Sequence, residues 1–213
     1  TDTVAATNFE IFIGTDHRDV FYIAPDASYQ NDITLFAGLG NDYIISGLGD
    51  DTLYGEDGND LFQGSDGVDT FHGGAGDLDW VGFRDLHHNT QGVRADLRDQ
   101  TITNDGYGNS EIMTGIEGFW QGTVFRDIYE GDDNNNAFQA FGFNDIVRAR
   151  DGIDSVTADA AGTYNGGAGT DSFSLISHLT YIADSNGDGN WDRLEDQINP
   201  DVYWHYITLE GEF

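Results

Sequence analysis

Large apolar residues recur every nine positions along much of this chain. From Ala37 the gapless units AGLGNDYII, SGLGDDTLY, GEDGNDLFQ, GSDGVDTFH and GGAGDLDWV place one at the eighth position: Ile44, Leu53, Phe62, Phe71 and Trp80. A triplet that points out, in and out again is a minimal β-strand with one buried side chain. The six residues before each triplet are rich in glycine and aspartate, the composition of a tight turn. Glycine holds the fourth place in every unit (Gly40, Gly49, Gly58, Gly67, Gly76), and aspartate the sixth in four of them (Asp42, Asp51, Asp60, Asp69). Two units therefore predict one coil of eighteen residues with a turn and a strand on each side, stacking Asp42 under Asp60 and Asp51 under Asp69.

That stacking has an electrostatic consequence. Strands of neighbouring coils sit about 4.8 Å apart. Two carboxylates at that spacing repel by roughly 1–3 kcal/mol at effective dielectrics between those of water and a protein surface. A cation must lie between them, and the chain has no lysine to supply it. Calcium fits, because it accepts 6–8 oxygens in flexible geometry and turn carbonyls can complete its shell. Magnesium fits less well, since it dehydrates reluctantly and demands a stricter octahedron.

The unit resembles the RTX, or haemolysin-type, calcium-binding nonapeptide G-G-x-G-x-D-x-U-x. The resemblance implies an all-β fold: a right-handed parallel β-roll, or β-solenoid, wound around rows of Ca²⁺. On that pattern the first-block metal positions are Gly38, Gly40, Asp42, Gly47, Gly49, Asp51, Gly58, Asp60, Gly67 and Asp69. Asp79 falls one place late in its unit, behind Leu78, so the coil formed by Asp60 is expected to end the first row.

The frame returns in degraded form as GTVFRDIYE, GDDNNNAFQ, AFGFNDIVR and ARDGIDSVT, from Gly122 to Thr157, and again as GGAGTDSFS at Gly166–Ser174. Its eighth places hold Tyr129, Phe138, Val147, Val156 and Phe173. Candidate metal positions here are Asp127, Asp145, Gly152, Asp154, Gly167, Gly169 and Asp171. Asp127/Asp145 is the best pair, and Asn136/Asp154 carries one charge less. Asp154 and Asp171 are seventeen apart, so a one-residue slip is expected between them. A shorter outlier, GTDHRDVFY at Gly14–Tyr22, starts the roll with Asp19 and Phe21 in frame.

Residues 82–121 break the period. Gly92–Leu97 alternates Val93, Ala95 and Leu97 and reads as a strand; Asn104–Ser110 reads as a loop. Ile112–Gly122 resembles a segment that often precedes further RTX repeats, with Ile112, Ile116 and Phe119 pointing inward. The bridge is expected to be β-structure packed on the roll. The domain would then span 10–183, with 184–213 as a loop–helix appendage.

Within the appendage, Asp184, Asn186, Asp188, Gly189, Asn190, Asp192 and Glu195 match D-x-[DN]-x-[DN]-G-x₅-E and resemble an EF-hand or dockerin-type calcium loop. The resemblance implies ligands from Asp184, Asn186, Asp188, Asn190, Asp192 and a bidentate Glu195, followed by a short helix near Trp191–Ile198. Ser177–Ala183 reads as a strand and not as an entering helix. Val202–Leu209 reads as an aromatic strand that caps the core. Its outward face, Tyr203 with His205 or Trp204 with Tyr206, is also the kind of surface on which sugar rings stack.

Charge narrows the partners. Eight basic residues, all arginine, face 39 acidic ones, for a net charge of −31. Nucleic acid and anionic membranes are poor partners for such a surface. Cysteine is absent, so thiol and disulfide chemistry are absent too. No run reaches a membrane span. His87-His88 lacks a third ligand at useful spacing, and neither H-E-x-x-H nor G-x-S-x-G occurs. The carboxylate pairs are spaced for metal and give no specific support to a glycosidase. The expectation is a non-enzymatic calcium-binding module, extracellular and carried out, as the resemblance implies, by a type I exporter. The alternative is a module that binds polysaccharide or a cell surface, with Arg84, Arg94, Arg98, Arg126, Arg148 and Arg150 as the candidate groove for an acidic polymer.

Overall fold

A computed structural model describes residues 10–23, 31–83 and 89–175, and the backbone of 207–211. The nine-residue period becomes two sheets with the apolar residues between them. The first sheet runs, in spatial order, β1 (Ile11–Thr15), β3 (Thr34–Leu39), β5 (Thr52–Asp57), β7 (Thr70–Ala75), β11 (Glu111–Thr114), β10 (Thr101–Asn104), β9 (Arg94–Asp96), β13 (Ile128–Glu130), β15 (Asp145–Arg148) and β18 (Gly162–Gly169). Both β16 (Asp151–Gly152) and β20 (Ile207–Gly211) pair with β18. The second sheet runs β2 (Val20–Tyr22), β4 (Tyr43–Ile45), β6 (Leu61–Gln63), β8 (Trp80–Gly82), β12 (Gly118–Trp120), β14 (Ala137–Ala140), β17 (Ser155–Ala158) and β19 (Ser172–Leu175). The chain alternates between sheets, and the pairings are parallel except at β10. This is the β-roll that the repeat predicts.

The eighteen-residue coil is explicit in the register: Thr34, Thr52 and Thr70 are partners in sequence, as are Tyr43 and Leu61. Leu35, Ile44, Leu53, Phe62 and Phe71 have no exposed surface and form one core with Tyr129, Phe138 and Val147 of the second block. Trp80 departs from the frame. Leu78 is an extra turn residue, Trp80 pairs with Leu61 nineteen positions earlier, and Val81 takes the buried place instead. The slip predicted before Asp171 sits in the turn at Asp159–Ala161. From there on partners are seventeen apart, as at Asp145 with Gly162 and Ser155 with Ser172.

The bridge is part of the first sheet and not a layer packed on it. After β8 the chain enters that sheet ahead of its neighbours as β9, beside β13. It then doubles back through antiparallel β10 and closes the gap as β11, parallel to β7. A turn at Leu97–Gln100 makes this possible, because antiparallel neighbours need only a short connection whereas parallel ones need a crossover. Over the same stretch the second sheet advances through β12 alone. The first sheet is thus longer there by two strand spacings, about 10 Å. Val93, Ala95 and Leu97 are buried as the alternation predicts, and Ile116 and Phe119 point inward. Ile112 does not: it is 59% exposed, and Met113 fills the core position. The calcium-loop motif at 184–195 and the helix after it lie outside the described residues, as does Val202–Tyr206.

Candidate metal centre

The residue just before each strand lies where the turn meets the sheet, so the coils stack these residues into rows. Along the second sheet the row is Asp19, Asp42, Asp60, Asp79, Glu117, Asn136, Asp154 and Asp171. Each carboxylate accepts the backbone N–H of its predecessor in the row. Asp19 N–H donates to Asp42 Oδ1 at 2.7 Å, Asp42 to Asp60 at 2.8 Å, Asp60 to Asp79 at 2.7 Å and Asp79 to Glu117 Oε2 at 2.9 Å. The row continues with Asn136 to Asp154 at 2.7 Å and Asp154 to Asp171 at 3.0 Å. Along the first sheet Ile33 donates to Asp51 (2.9 Å), Asp51 to Asp69 (3.0 Å) and Asp69 to Glu111. Beyond β10 the pattern resumes with Val93 to Asp127 (2.7 Å) and Asp127 to Asp145 (2.9 Å). The predicted pairs Asp42/Asp60, Asp51/Asp69, Asp127/Asp145 and Asn136/Asp154 are all neighbours.

The carboxylate row does not end at Asp60. The turn absorbs Leu78, and Asp79 stands in line, almost fully buried and bonded to Asp60. Glu111 and Glu117 were invisible to the nonapeptide frame, since both come from the bridge.

The ladder uses one oxygen of each aspartate. The other, Oδ2, is buried and without a hydrogen-bond partner in Asp42, Asp51, Asp60, Asp79, Asp145, Asp154 and Asp171. A buried charge left in this state is costly. Burial is accordingly the main force raising these carboxyls, to about 6 for Asp51, Asp60 and Asp154 and about 7 for Asp79 and Asp145, with neighbouring aspartates adding to it. At Asp60, Asp79 and Asp171 the first place of the unit is a glycine, which leaves space beside the free oxygen. A Cβ on Gly73 would lie 2.6 Å from Asp79 Oδ2, and one on Gly166 2.5 Å from Asp171 Oδ2. Free oxygens in a glycine-lined cradle suit a hard, oxygen-seeking cation, with the turn backbone supplying further ligands. Among the described residues no three His, Cys, Asp or Glu side chains gather closely enough to hold a metal by themselves, so an ion there would need further oxygens, such as those of the turn backbone or water.

In three turns the second residue of the unit instead closes back onto the sixth through its N–H. Thr15 N–H closes onto Asp19 Oδ2 at 2.7 Å. Thr123 gives Asp127 both its N–H (2.8 Å to Oδ2) and its hydroxyl (2.8 Å to Oδ1). Asp132 N–H closes onto Asn136 at 2.9 Å. In the other coils of the second-sheet row that second residue has positive φ: Gly38 (106°), Glu56 (73°), Gly74 (113°), Arg150 (80°) and Gly167 (91°). The left-handed turn withdraws its N–H, and the carboxylates Asp42, Asp60, Asp79, Asp154 and Asp171 keep a free oxygen. Asp127 therefore differs from its predicted partner Asp145: its oxygens are satisfied by protein, those of Asp145 only in part. Thr at the second place was the sequence signal for this.

Of the other predicted glycines, Gly40, Gly58, Gly67, Gly152 and Gly169 also adopt positive φ, while Gly47 and Gly49 do not. Fourth-place Gly58 could be nothing else, since a Cβ there would overlap the carbonyl oxygen of Gly40 in the coil below.

The RTX calcium-binding nonapeptide repeat (4 copies) is the family whose model matches the chain, at residues 34–62 and 45–77. That span carries β3 to β7 and the ladder from Asp42 to Asp69. No curated protein matches the chain significantly. The chain thus carries RTX repeats, which bind several calcium ions and are structural and not enzymatic units.

Proposed function

We propose that this calcium-binding β-roll is a calcium-gated folding module of a secreted protein, exported unfolded by a type I machine and folded on reaching external Ca²⁺. The observation that carries the reading is the set of buried aspartates, each with one oxygen in the ladder and one without a partner. Bound calcium supplies the positive charge that those oxygens lack. Without it the carboxylates repel one another across coils, and a chain of net charge −31 resists compaction. Ligation that exists only in the folded state is itself folding free energy. Extracellular modules bind Ca²⁺ at about 10⁻⁴–10⁻³ M, a level the cytosol does not reach. Asp42, Asp51, Asp60, Asp69, Asp79, Asp145, Asp154 and Asp171 hold the ions in this reading, and 10–183 is one module, with a separate loop site at Asp184–Glu195. The test is a calcium titration of the stripped protein, followed by circular dichroism and calorimetry. A cooperative gain of β-structure with several ions bound is expected; a stripped chain already fully folded and unchanged by calcium would refute it.

A second reading, a surface that binds polysaccharide, draws on a different observation. Phe36, Tyr54 and His72 stack along the outer face of the first sheet, with ring centroids 4.8 and 4.5 Å apart. Such a ladder offers π-faces to sugar rings. Of the arginines expected to form an anion groove, Arg98 pairs with Asp133, Arg148 with Glu130, and Arg150 with Asp96 and Glu130, and Arg84 lies outside the described residues. Neutral glycans are then the ligands to screen, and loss of retention in Tyr54→Ala is the expected sign.

A further inference from the structure

The bridge does more than interrupt the repeats. At the point where β11 joins β7, Glu111 occupies the place that the next coil's aspartate would take, and its Oε2 accepts the N–H of Asp69. The residue is 3% exposed, and its other oxygen, Oε1, is buried without a hydrogen-bond partner. Asp69 beside it is equally buried. Above the pair lies the loop between β10 and β11, folded around Asp105, whose Oδ1 accepts the N–H groups of Tyr107, Gly108 and Asn109 at 2.8–2.9 Å. Asn109 reaches from this loop to Asp66, in the same turn as Asp69, at 3.0 Å, and so fastens the loop over the turn. Asp105 is itself 2% exposed, adding a third buried carboxylate. Among the described residues no arginine pairs with any of the three.

We infer that Asp69 and Glu111 form a calcium site at this seam, outside the nonapeptide repeats, with the Asp105 loop as its cover. The site ends the first-sheet row at the one place where the next parallel coil is missing. A glutamate serves there because the backbone of β11 arrives from the bridge and not from a nonapeptide turn, and the longer side chain spans the difference. Glu117 makes the equivalent bond to Asp79 at the same seam in the other row.

The inference rests on reading the rows as calcium sites, and the experiment separates the two. Calcium bound at saturation is counted by equilibrium dialysis on the full chain and on Glu111→Gln, an isostere that still accepts the Asp69 N–H. The expected result is one ion fewer in the variant, with the far-UV spectrum of the calcium-loaded wild type retained. The wild-type count in Glu111→Gln overturns the inference, while a wild type that binds no calcium overturns the reading beneath it. Should Glu111→Gln not fold, calcium anomalous difference maps from wild-type crystals decide: a peak between Asp69 and Glu111 supports the site, and its absence there, with peaks in the neighbouring coils, overturns it.

Discussion

Replacing Asp51 with asparagine should move stability in opposite directions with and without calcium. Asp51 accepts the N–H of Ile33 at 2.9 Å through Oδ1, and its Oδ2 is buried and free. Asparagine keeps the first acceptor and replaces the free oxygen by an amide that can donate to turn carbonyls. In the calcium-free fold the substitution removes a carboxylate that burial holds at about 6 instead of 3.8. Roughly two pKa units at about 1.4 kcal/mol each set an upper bound near 3 kcal/mol of relief at neutral pH. In the calcium-bound fold the same change removes a charged ligand. By the scale of breaking one side of a buried ion pair, that costs about 3–5 kcal/mol.

The assay is a pair of urea denaturations followed by circular dichroism, one in saturating calcium and one in a chelator with added sulfate to bring the calcium-free form into its transition. Asp51→Asn should unfold at lower urea than wild type in calcium and at higher urea without it. If the variant is destabilised to the same extent in both buffers, Asp51 serves the hydrogen-bond ladder alone, and the argument from its free oxygen fails.

Acid should substitute in part for calcium. The ladder carboxyls rise on folding to about 6 for Asp51, Asp60 and Asp154 and about 7 for Asp79 and Asp145, so the fold takes up protons. The associated stability is complete below about pH 4 and is lost as pH climbs through 6 to 7. Stripped protein should gain β-structure when titrated from pH 7.5 to 4.5, and an unchanged far-UV spectrum would contradict the assignment. Glu56 sits at φ 73°, where an L-residue is strained. Glu56→Gly should raise the urea midpoint in calcium by the equivalent of about 0.5–1 kcal/mol, and a fall would mean the side chain contributes more than the strain. Thr123→Val removes the hydroxyl bond to buried Asp127 and should cost about 1–3 kcal/mol equally with and without calcium; a calcium-dependent loss would place a metal in that turn. Glu117→Leu deletes the acceptor for Asp79 N–H and should broaden the calcium titration into two phases, where an unchanged single transition would show that backbone pairing alone couples the halves.

What could be read in advance follows from where each fact resides. The stacking of Asp42 under Asp60 and of Asp51 under Asp69 is a local consequence of an unbroken period, so counting finds it. Asp79 was misplaced because counting treats Leu78 as a shift of everything downstream, whereas the turn absorbs one residue and strand pairing restores the register at once. Val81 for Trp80 and Met113 for Ile112 are the same error seen from the core: a one-residue shift turns every side chain to the opposite face. Glu111 could not be found by any nonapeptide frame. Its place beside Asp69 depends on pairing between β7 and β11, 42 residues apart, through a hairpin that reverses chain direction. The closed turns at Thr15 and Thr123 were within reach, since a hydroxyl residue four before the aspartate is a known local hydrogen-bonding pattern.

The ladder suggests why calcium and fold should be gained together and not site by site. Every carboxylate with a free oxygen also fixes the backbone of a neighbouring coil through its other oxygen, so loading one turn orders the peptide that presents the next ligand. A solenoid in which each coil touches only its neighbours then behaves as a one-dimensional cooperative array. The two rows transmit this unequally. Along the first sheet the antiparallel strand β10 separates Glu111 from Val93, and no aspartate ladder crosses it. Along the second sheet Asp79 binds Glu117, whose carbonyl accepts the N–H of Ala137, adjacent to Asn136 and thus to Asp154. The bridge therefore breaks one row and joins the other. The side-chain ladder itself can pass between the two repeat blocks only along the second sheet, through a glutamate and one backbone hydrogen bond, beside the strand pairing and shared core that join the blocks in any case.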